Sequence, residues 1–363
     1  MKILFGYLTT AYRGGTKYQL DIARVMANSQ VGFLTSNAHL EYKDRVCSLG
    51  PIHRIPPTKR FFQRWKALKA LAGEYDVLYL NKATLHPLEL ILAACSGFQI
   101  VVFHSHATGK DTSNPLTLMA FHALHYLSVP FVNLAADKLY ACSIPAARWL
   151  FGKRNVASTK VIPNGIDLAA YTYRPEIRGK KRAELAIDGP CVLHVGAFSG
   201  VKNQGYLVEG FQIFHKNHPD SVLLLVGDGE LRPAVQAQVE ALGMTDCVRL
   251  MGQRNDVAEI MQAADLLVLP SLREGLPFVA VEAQAAGLPC LLTSTAAPES
   301  RITDLCDWID INRPAAELAA AMEQQITLPR RDTFGELAQA GYDLATCGRE
   351  LEEELNQLLR QSK

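Results

Sequence analysis

Short apolar runs, separated by longer stretches of mixed polarity, divide the chain into strand-like and helix-like pieces. The first run, Lys2 to Leu8, reads as a strand. A glycine-bearing loop from Thr9 to Gly15 follows, and apolar positions at helical spacing then run from about Thr16 to Asn28. Val31–Thr35, Val77–Leu80, Ile100–Phe103 and Lys138–Cys142 are further strands with helical stretches between them. The second half alternates more cleanly. Strands at Cys191–Val195, Val222–Val226, Val248–Met251, Leu266–Leu269 and Pro289–Thr293 interleave with helices at Asn203–His215, Glu230–Leu242, Asp256–Ala263 and Pro277–Ala286. Such alternation predicts an α/β fold of parallel, doubly wound, Rossmann-like sheets. Strands this continuously apolar predict coverage on both faces.

Turn chemistry interrupts the pattern at Val161-Ile-Pro-Asn-Gly-Ile-Asp167, since Pro163 and Asn164-Gly165 suit neither a helix nor a central strand. A polar stretch through Lys180, Lys181 and Arg182 follows. This predicts one domain over 1–165 and a second over 166–345, and 363 residues are enough for two. After Pro314 the chain reads as helical, with 346–363 a helix that could reach back to the first domain.

A hydrophobic fraction of 48% excludes global disorder, and a net charge of +1 gives no sign of a nucleic-acid partner. The average hides an asymmetry. Residues 1–160 carry 19 basic and 8 acidic side chains, and residues 161–363 carry 18 and 28. A basic half is a pointer to a polyanionic or membrane surface. The eight cysteines lie at least 16 residues apart, so no zinc or CxxC spacing exists, and they read as small buried hydrophobes in a reducing compartment. The apolar stretch Ile3–Leu8 is too short for a signal peptide. Ser113 to Ala136 contains no charge and is long enough to cross a bilayer, but Pro115, His122, His125, Pro130 and Asn133 favour a buried or surface-associated helix.

The densest chemistry is Ser271-Leu-Arg-Glu-Gly-Leu-Pro-Phe278, continuing through Glu282 to Pro289, where a strand ends and a helix begins. Open α/β sheets bind ligands at that end of their strands. Pro277 suits a first helical position. The backbone N–H groups near Gly275, Leu276, Phe278 and Val279 would then form an anion site suited to a diphosphate. Glu274 and Glu282 would flank it. Carboxylates repel phosphate, so they suit hydroxyl-rich groups at either end of a pyrophosphate, a sugar and a ribose. Asp228 and Asp256 read as helix-start residues rather than metal ligands.

The Glu274-x7-Glu282 spacing, with Val161–Asp167, Val192-Leu-His-Val-Gly196, Leu223–Leu231 and Asp265–Ser271 around it, resembles the retaining glycosyltransferases of family 4, in their capsular and exopolysaccharide branch. The resemblance covers most of the chain and is densest over 161–295. It implies the GT-B fold, two Rossmann-like domains facing a cleft, with a nucleoside-diphosphate sugar held mainly by the second. It implies no metal, only a nucleotide-sugar co-substrate, and a UDP donor. Glu274 would contact the donor sugar and Glu282 the ribose. The loop Gly196-Ala197-Phe198-Ser199-Gly200-Val201-Lys202-Asn203 would hold the leaving diphosphate through Lys202. The family's arginine after Gly196 is absent, because Ala197 stands there. Arg13, Lys17, Lys110 or Arg254 could supply the missing cation. Gly14 and Gly15 would let backbone approach the donor phosphates and the acceptor. Of His104 and His106, the second is favoured as the histidine that touches the donor sugar.

Lys59 to Leu71 holds five basic residues and no acid, with Phe61, Trp65 and Leu68 on one helical face. That composition suits an anionic membrane surface. The combined expectation is a cytoplasmic enzyme, peripheral on the inner face of the plasma membrane. It would move a sugar to a growing, polyprenyl-linked surface glycan. A catalytically weak nucleotide-sugar-binding partner, supported by Ala197, and a sugar-nucleotide epimerase of the same shape, opposed by the two glutamates, are the alternatives.

Overall fold

A computed structural model describes residues 1–10, 14–107, 109 and 115–361 of the chain. Arg13, Lys110 and Ser113 lie outside the described residues. The chain forms two compact units, Met1–Gly165 with Asp343–Lys363, and Ile166–Tyr342.

The first unit holds β1 (Lys2–Gly6), β2 (Gln30–Thr35), β3 (Ile52–Arg54), β4 (Val77–Lys82), β5 (Ile100–Ser105), β6 (Lys138–Ala141) and β7 (Lys160–Val161). They form one parallel sheet in the order β3-β2-β1-β4-β5-β6-β7. The register sets Ile3 beside both Val31 and Val77, and Asn81 beside His104. Phe5, Phe33, Tyr79 and Phe103 are fully buried in this sheet. β1 ends at Gly6 rather than Leu8, and the following helix starts at Gly14 rather than Thr16. β3 and β7 were not expected. Ile52 and His53 are only half-buried, so no apolar run marks them.

The last helix, Leu344–Gln361, packs on helix Gly14–Val25. A Cβ on Gly348 would sit 2.3 Å from Val25 Cγ2, so only glycine permits this approach. Glu352 accepts from the Asn28 backbone N–H at 3.1 Å and from the Ser29 hydroxyl. Glu354 accepts from Tyr140 Oη at 2.8 Å and from Lys160. The return begins at Asp343, three residues before the expected 346. The reason is a cap: the Asp343 carboxylate accepts from Thr346 N at 3.0 Å and from Thr346 Oγ1 at 2.7 Å.

The second unit holds β8 (Cys191–Val195), β9 (Val222–Val226), β10 (Val248–Gly252), β11 (Leu266–Leu269), β12 (Cys290–Thr293) and β13 (Cys306–Ile309). The order is β10-β9-β8-β11-β12-β13, all parallel, which reverses direction between β8 and β11. Along β9, Val222, Leu224 and Val226 enter one core layer while Leu223 and Leu225 enter the other. Both faces are therefore covered by helices. Both units are Rossmann-like, each a parallel α/β sheet.

Candidate functional site

In the second unit, the switch point brings together the loops after β8 and β11. Leu272 N–H donates to Val201 O at 2.7 Å, which ties the loops by backbone. Lys202 Nζ then donates to Glu274 Oε1 at 2.5 Å, and Ser271 Oγ donates to the same oxygen at 2.7 Å. Thr293 Oγ1, at the end of β12, anchors the Ser271 carbonyl at 2.6 Å. Beside them the loop after β9 runs against the loop after β8. Gly227 has φ +136°, and a Cβ there would lie 2.0 Å from the Gly196 carbonyl oxygen. Gly196 itself is closely fitted, with His194 and Lys202 side chains 3.3 to 3.4 Å from where its Cβ would be.

The next helix is Phe278–Ala285. Pro277 is the residue before its first turn, with extended backbone, rather than the first helical residue. Leu276 and Pro277 are buried, and Gly275 and Phe278 are half-buried. Glu282 is 6% exposed, well inside the unit and not on a helix surface.

Arg254 grips Asp256 with two bonds, Nε to Oδ1 at 2.8 Å and Nη2 to Oδ2 at 2.6 Å. Lys181 also reaches Asp256, at 2.9 Å. Asp256 stands before helix Val257–Ala263, but its side chain makes no cap bond and is held by these cations instead. Asp256 thus does stand at a helix start, whereas Asp228, which accepts from Gly229 N–H, lies ahead of a helix that starts only at Arg232 and is not a helix-start residue. Lys17 pairs with Asp21 at 2.8 Å. Of the four cations expected as substitutes for the missing arginine, Lys17 and Arg254 are thus engaged by acids. Among the described residues no cluster of three or more His, Cys, Asp or Glu could hold a metal.

His194 escaped the sequence reading. It lies inside β8, fully buried, and Nδ1–H donates to the Val268 carbonyl at 2.9 Å. Its Nε2 has no hydrogen-bond partner. Burial, helped by the charge of Lys202, pushes its pKa down to about 4. The only signal in the sequence was a polar residue interrupting the apolar run two positions before Gly196.

The first unit has its own cluster at the carboxyl ends of its strands. His104 lies within β5 and is fully buried, with Nδ1 at 2.7 Å from Tyr79 Oη. His106, beyond the strand, lines a cavity of about 350 Å³ with Thr9, Gly15, Thr16, Gln19 and Asn81. The two ring centroids lie 4.0 Å apart, with the planes tilted by 35°. Space around Gly15 is open, with nothing within 4 Å of a built Cβ, and Gly14 is exposed at the start of its helix. His106 Nδ1 lies 3.0 Å from Asn164 Oδ1, and Nε2 lies 2.6 Å from Asn81 Oδ1. Burial pushes the His106 pKa down to about 4, so at neutral pH the ring carries one proton. It cannot donate to both oxygens. Asn81 Nδ2 is buried without a partner, so Asn81 is the amide that turns and donates to Nε2. His106 is then the Nδ1–H tautomer, donating to Asn164.

Helix Phe61–Leu71 turns its expected membrane face inward. Leu68 is buried, Trp65 Nε1 donates to Cys95 O at 2.9 Å, and Phe61 is half-buried, while Phe62, Lys66 and Lys69 are exposed. Among the described residues no helix is long and apolar enough to cross a membrane.

Residues 189–327, which contain the Lys202–Glu274 pair and Glu282, match the family model described as glycosyl transferases group 1. Over 353 residues the chain is 30% identical to EpsF of Bacillus subtilis (strain 168), itself assigned as a glycosyltransferase, covering 91% of this chain and 90% of the relative. The chain belongs to the group 1 glycosyltransferases. It is also 35% identical over 255 residues, 67% of this chain and 63% of the other, to the Escherichia coli UDP-Gal:alpha-D-GlcNAc-diphosphoundecaprenol alpha-1,3-galactosyltransferase. Among solved structures, HepE of Anabaena in complex with UDP and glucose is similar at a TM-score of 0.80 and 22% identity, over 98% of this chain and 100% of that one.

Proposed function

We propose that the protein is a retaining glycosyltransferase of family 4 that transfers a sugar from a UDP donor to a lipid-linked glycan in bacterial surface-polysaccharide synthesis. The observation that carries this reading is the Lys202–Glu274 pair, which puts a cation and a carboxylate at the carboxyl ends of β8 and β11. In the reaction the bond between the anomeric carbon and the diphosphate breaks, and an acceptor hydroxyl attaches on the face the diphosphate leaves, its proton passing to the departing phosphate oxygen. Charge grows on the departing phosphate oxygen, and Lys202 neutralises it. Glu274, released from Lys202, accepts from a donor-sugar hydroxyl. Glu282 accepts from the ribose hydroxyls, and the N–H groups around Gly275, Leu276 and Phe278 hold phosphate oxygens. His106 contacts the donor sugar.

The UDP donor is supported by HepE, which was crystallised with UDP and glucose. The lipid-linked acceptor is supported by the E. coli relative, whose named acceptor is a diphosphoundecaprenol. The basic helix Phe61–Leu71, without acids, fits work at the anionic inner face of a plasma membrane. Because Lys202 provides the positive charge, transfer is expected to persist in EDTA. The test is to incubate the protein with a panel of labelled UDP-sugars and membrane lipid extract, with Glu274→Ala in parallel, and to read the anomeric configuration of the product by NMR. Ala197, in place of the family's arginine, favours a second reading, a catalytically weak nucleotide-sugar-binding partner subunit. Binding of UDP-sugars without turnover on any extract would select it.

A further inference from the structure

The uncharged stretch up to Ala136 forms helix Pro115–Ser128 and the turn Val129–Leu134. One side of the helix is committed: His125 is buried and stacks on Trp149 at 4.7 Å, and His122 lies against the same ring. The opposite side is bare. Met119 and Leu127 fall at i and i+8 and are exposed, by 69% and 65%, and Tyr126, whose ring stands edge-on to Trp149, borders them. Phe131 and Leu134 continue the strip, Leu134 at 77% exposed. Helix Pro87–Ala94 packs against this segment and adds exposed Leu88 and Ile91. Isolated apolar side chains on a surface are ordinary, but a contiguous strip of this size marks an interaction face.

Charge says what covers it. Helix Pro87–Ala94 also packs on helix Phe61–Leu71, where Lys66 and Lys69 are exposed, as are Lys59 and Arg60 just before it. Past the strip's other end, Asn133 Nδ2 donates to Asn155 Oδ1 at 2.8 Å, which brings up the turn carrying exposed Lys153 and Arg154. The one acid of helix Pro87–Ala94, Glu89, is paired with Lys82. Cations thus flank the strip at both ends, and no unpaired acid lies within these segments. A second copy docking face to face would bring like charges together. A lipid surface with anionic head groups takes both the apolar strip and the cations.

We propose that the strip Met119–Leu134 inserts into the headgroup and upper acyl region of an anionic membrane, while helix Phe61–Leu71 attracts the surface without inserting. This deepens the reading of a lipid-linked acceptor and rests on it for its purpose. The experiment is co-sedimentation with vesicles of phosphatidylcholine, with and without phosphatidylglycerol, using the full chain. Wild type should bind the anionic vesicles preferentially. Leu127→Glu with Leu134→Glu should weaken binding about tenfold or more at both low and high salt, whereas Lys66→Glu with Lys69→Glu should weaken it chiefly at low salt. An unchanged melting temperature identifies the variants as folded. In Phe131→Trp, the added fluorescence should be quenched by brominated acyl chains.

Three results would overturn the proposal: no binding of wild type to anionic vesicles, undiminished binding by Leu127→Glu with Leu134→Glu, or a dimer by light scattering that this variant splits. Vesicle binding is read without sugar transfer. A protein that binds vesicles but transfers no sugar therefore sinks the transferase reading and leaves this one standing.

Discussion

Lys202 donates to Glu274 at 2.5 Å, and this bond joins the loop after β8 to the loop after β11. Both side chains are mostly withdrawn from solvent, 21% and 14% exposed, so the pair is more than a surface contact. A donor that claims both groups must separate them. Lys202→Met and Glu274→Ala are each expected to lower kcat/KM by about 10- to 150-fold, the span of a charge-assisted hydrogen bond of about 1.5–3 kcal/mol. Glu274→Ala should act mainly on kcat. The double variant should lose less than the product of the single losses, because each removes the other's partner. Steady-state kinetics on the three proteins checks this, and strict additivity would refute the coupling.

Glu282 should separate from Glu274 in its kinetic signature. Assigned to the ribose, it contributes to binding in ground state and transition state alike, so Glu282→Ala should raise donor KM with kcat little changed. An unchanged donor KM would remove Glu282 from the nucleotide site.

The Asn81–His106–Asn164 arrangement fixes a tautomer. In ¹⁵N spectra at neutral pH, the His106 signals, assigned by their loss in His106→Gln, should show Nδ1 protonated and Nε2 bare. Asn81→Asp puts a carboxylate beside Nε2. It should raise the His106 pKa from about 4 and give a doubly protonated ring over part of the pH range between there and neutrality. An Nε2–H tautomer in wild type would show that Asn164, not Asn81, turns its amide.

His194 makes stability depend on acid. Its pKa falls from 6.5 to about 4 on folding, so the unfolded chain binds its proton first as pH drops. Stability from this group is complete above pH 6.5 and is lost as pH falls toward 4, a swing of about 3 kcal/mol. Denaturant titrations at a series of pH values should show that slope, and His194→Asn should reduce the proton uptake by one. His104, buried and held well below its ordinary pKa by desolvation, adds a slope of the same sign.

Ala197 offers a gain-of-binding test. The residue is exposed, so an arginine has room. If the loop holds a diphosphate, Ala197→Arg should tighten UDP about tenfold or more, as a new charge-assisted contact would. Calorimetric titration with UDP measures it. No change would mean that the phosphates lie elsewhere.

The second unit was the more legible half because its inner strands are single apolar runs covered on both faces, as Val222–Val226 is. Of the four edge strands, β10 was legible, but β3, β7 and β13 were not. β13 reads Cys-Asp-Trp-Ile, with Asp307 exposed, and β3 has three residues, none fully buried. For the site, Glu274, Lys202 and Glu282 could be named because loop glycines and a proline frame them. His194 could not, since its role depends on which carbonyl its Nδ1 meets across the sheet. The inward turn of Trp65 was hidden for a similar reason. Helical spacing says that Phe61, Trp65 and Leu68 share a face, but not whether that face meets lipid or the neighbouring helix Pro87–Ala94 and the Cys95 carbonyl just after it.

The helix Leu344–Gln361, seated on Gly348 against Val25, has a consequence for the order in which the chain can mature. The second unit is one uninterrupted stretch, 166–342, whereas the first needs residues made after it. A ribosome adding about 5–20 residues per second takes on the order of ten to forty seconds to travel from the end of the first stretch to this helix. Throughout that interval Tyr140 and the outer side of helix Gly14–Val25 wait uncovered. The unit begun first is therefore the last to be finished.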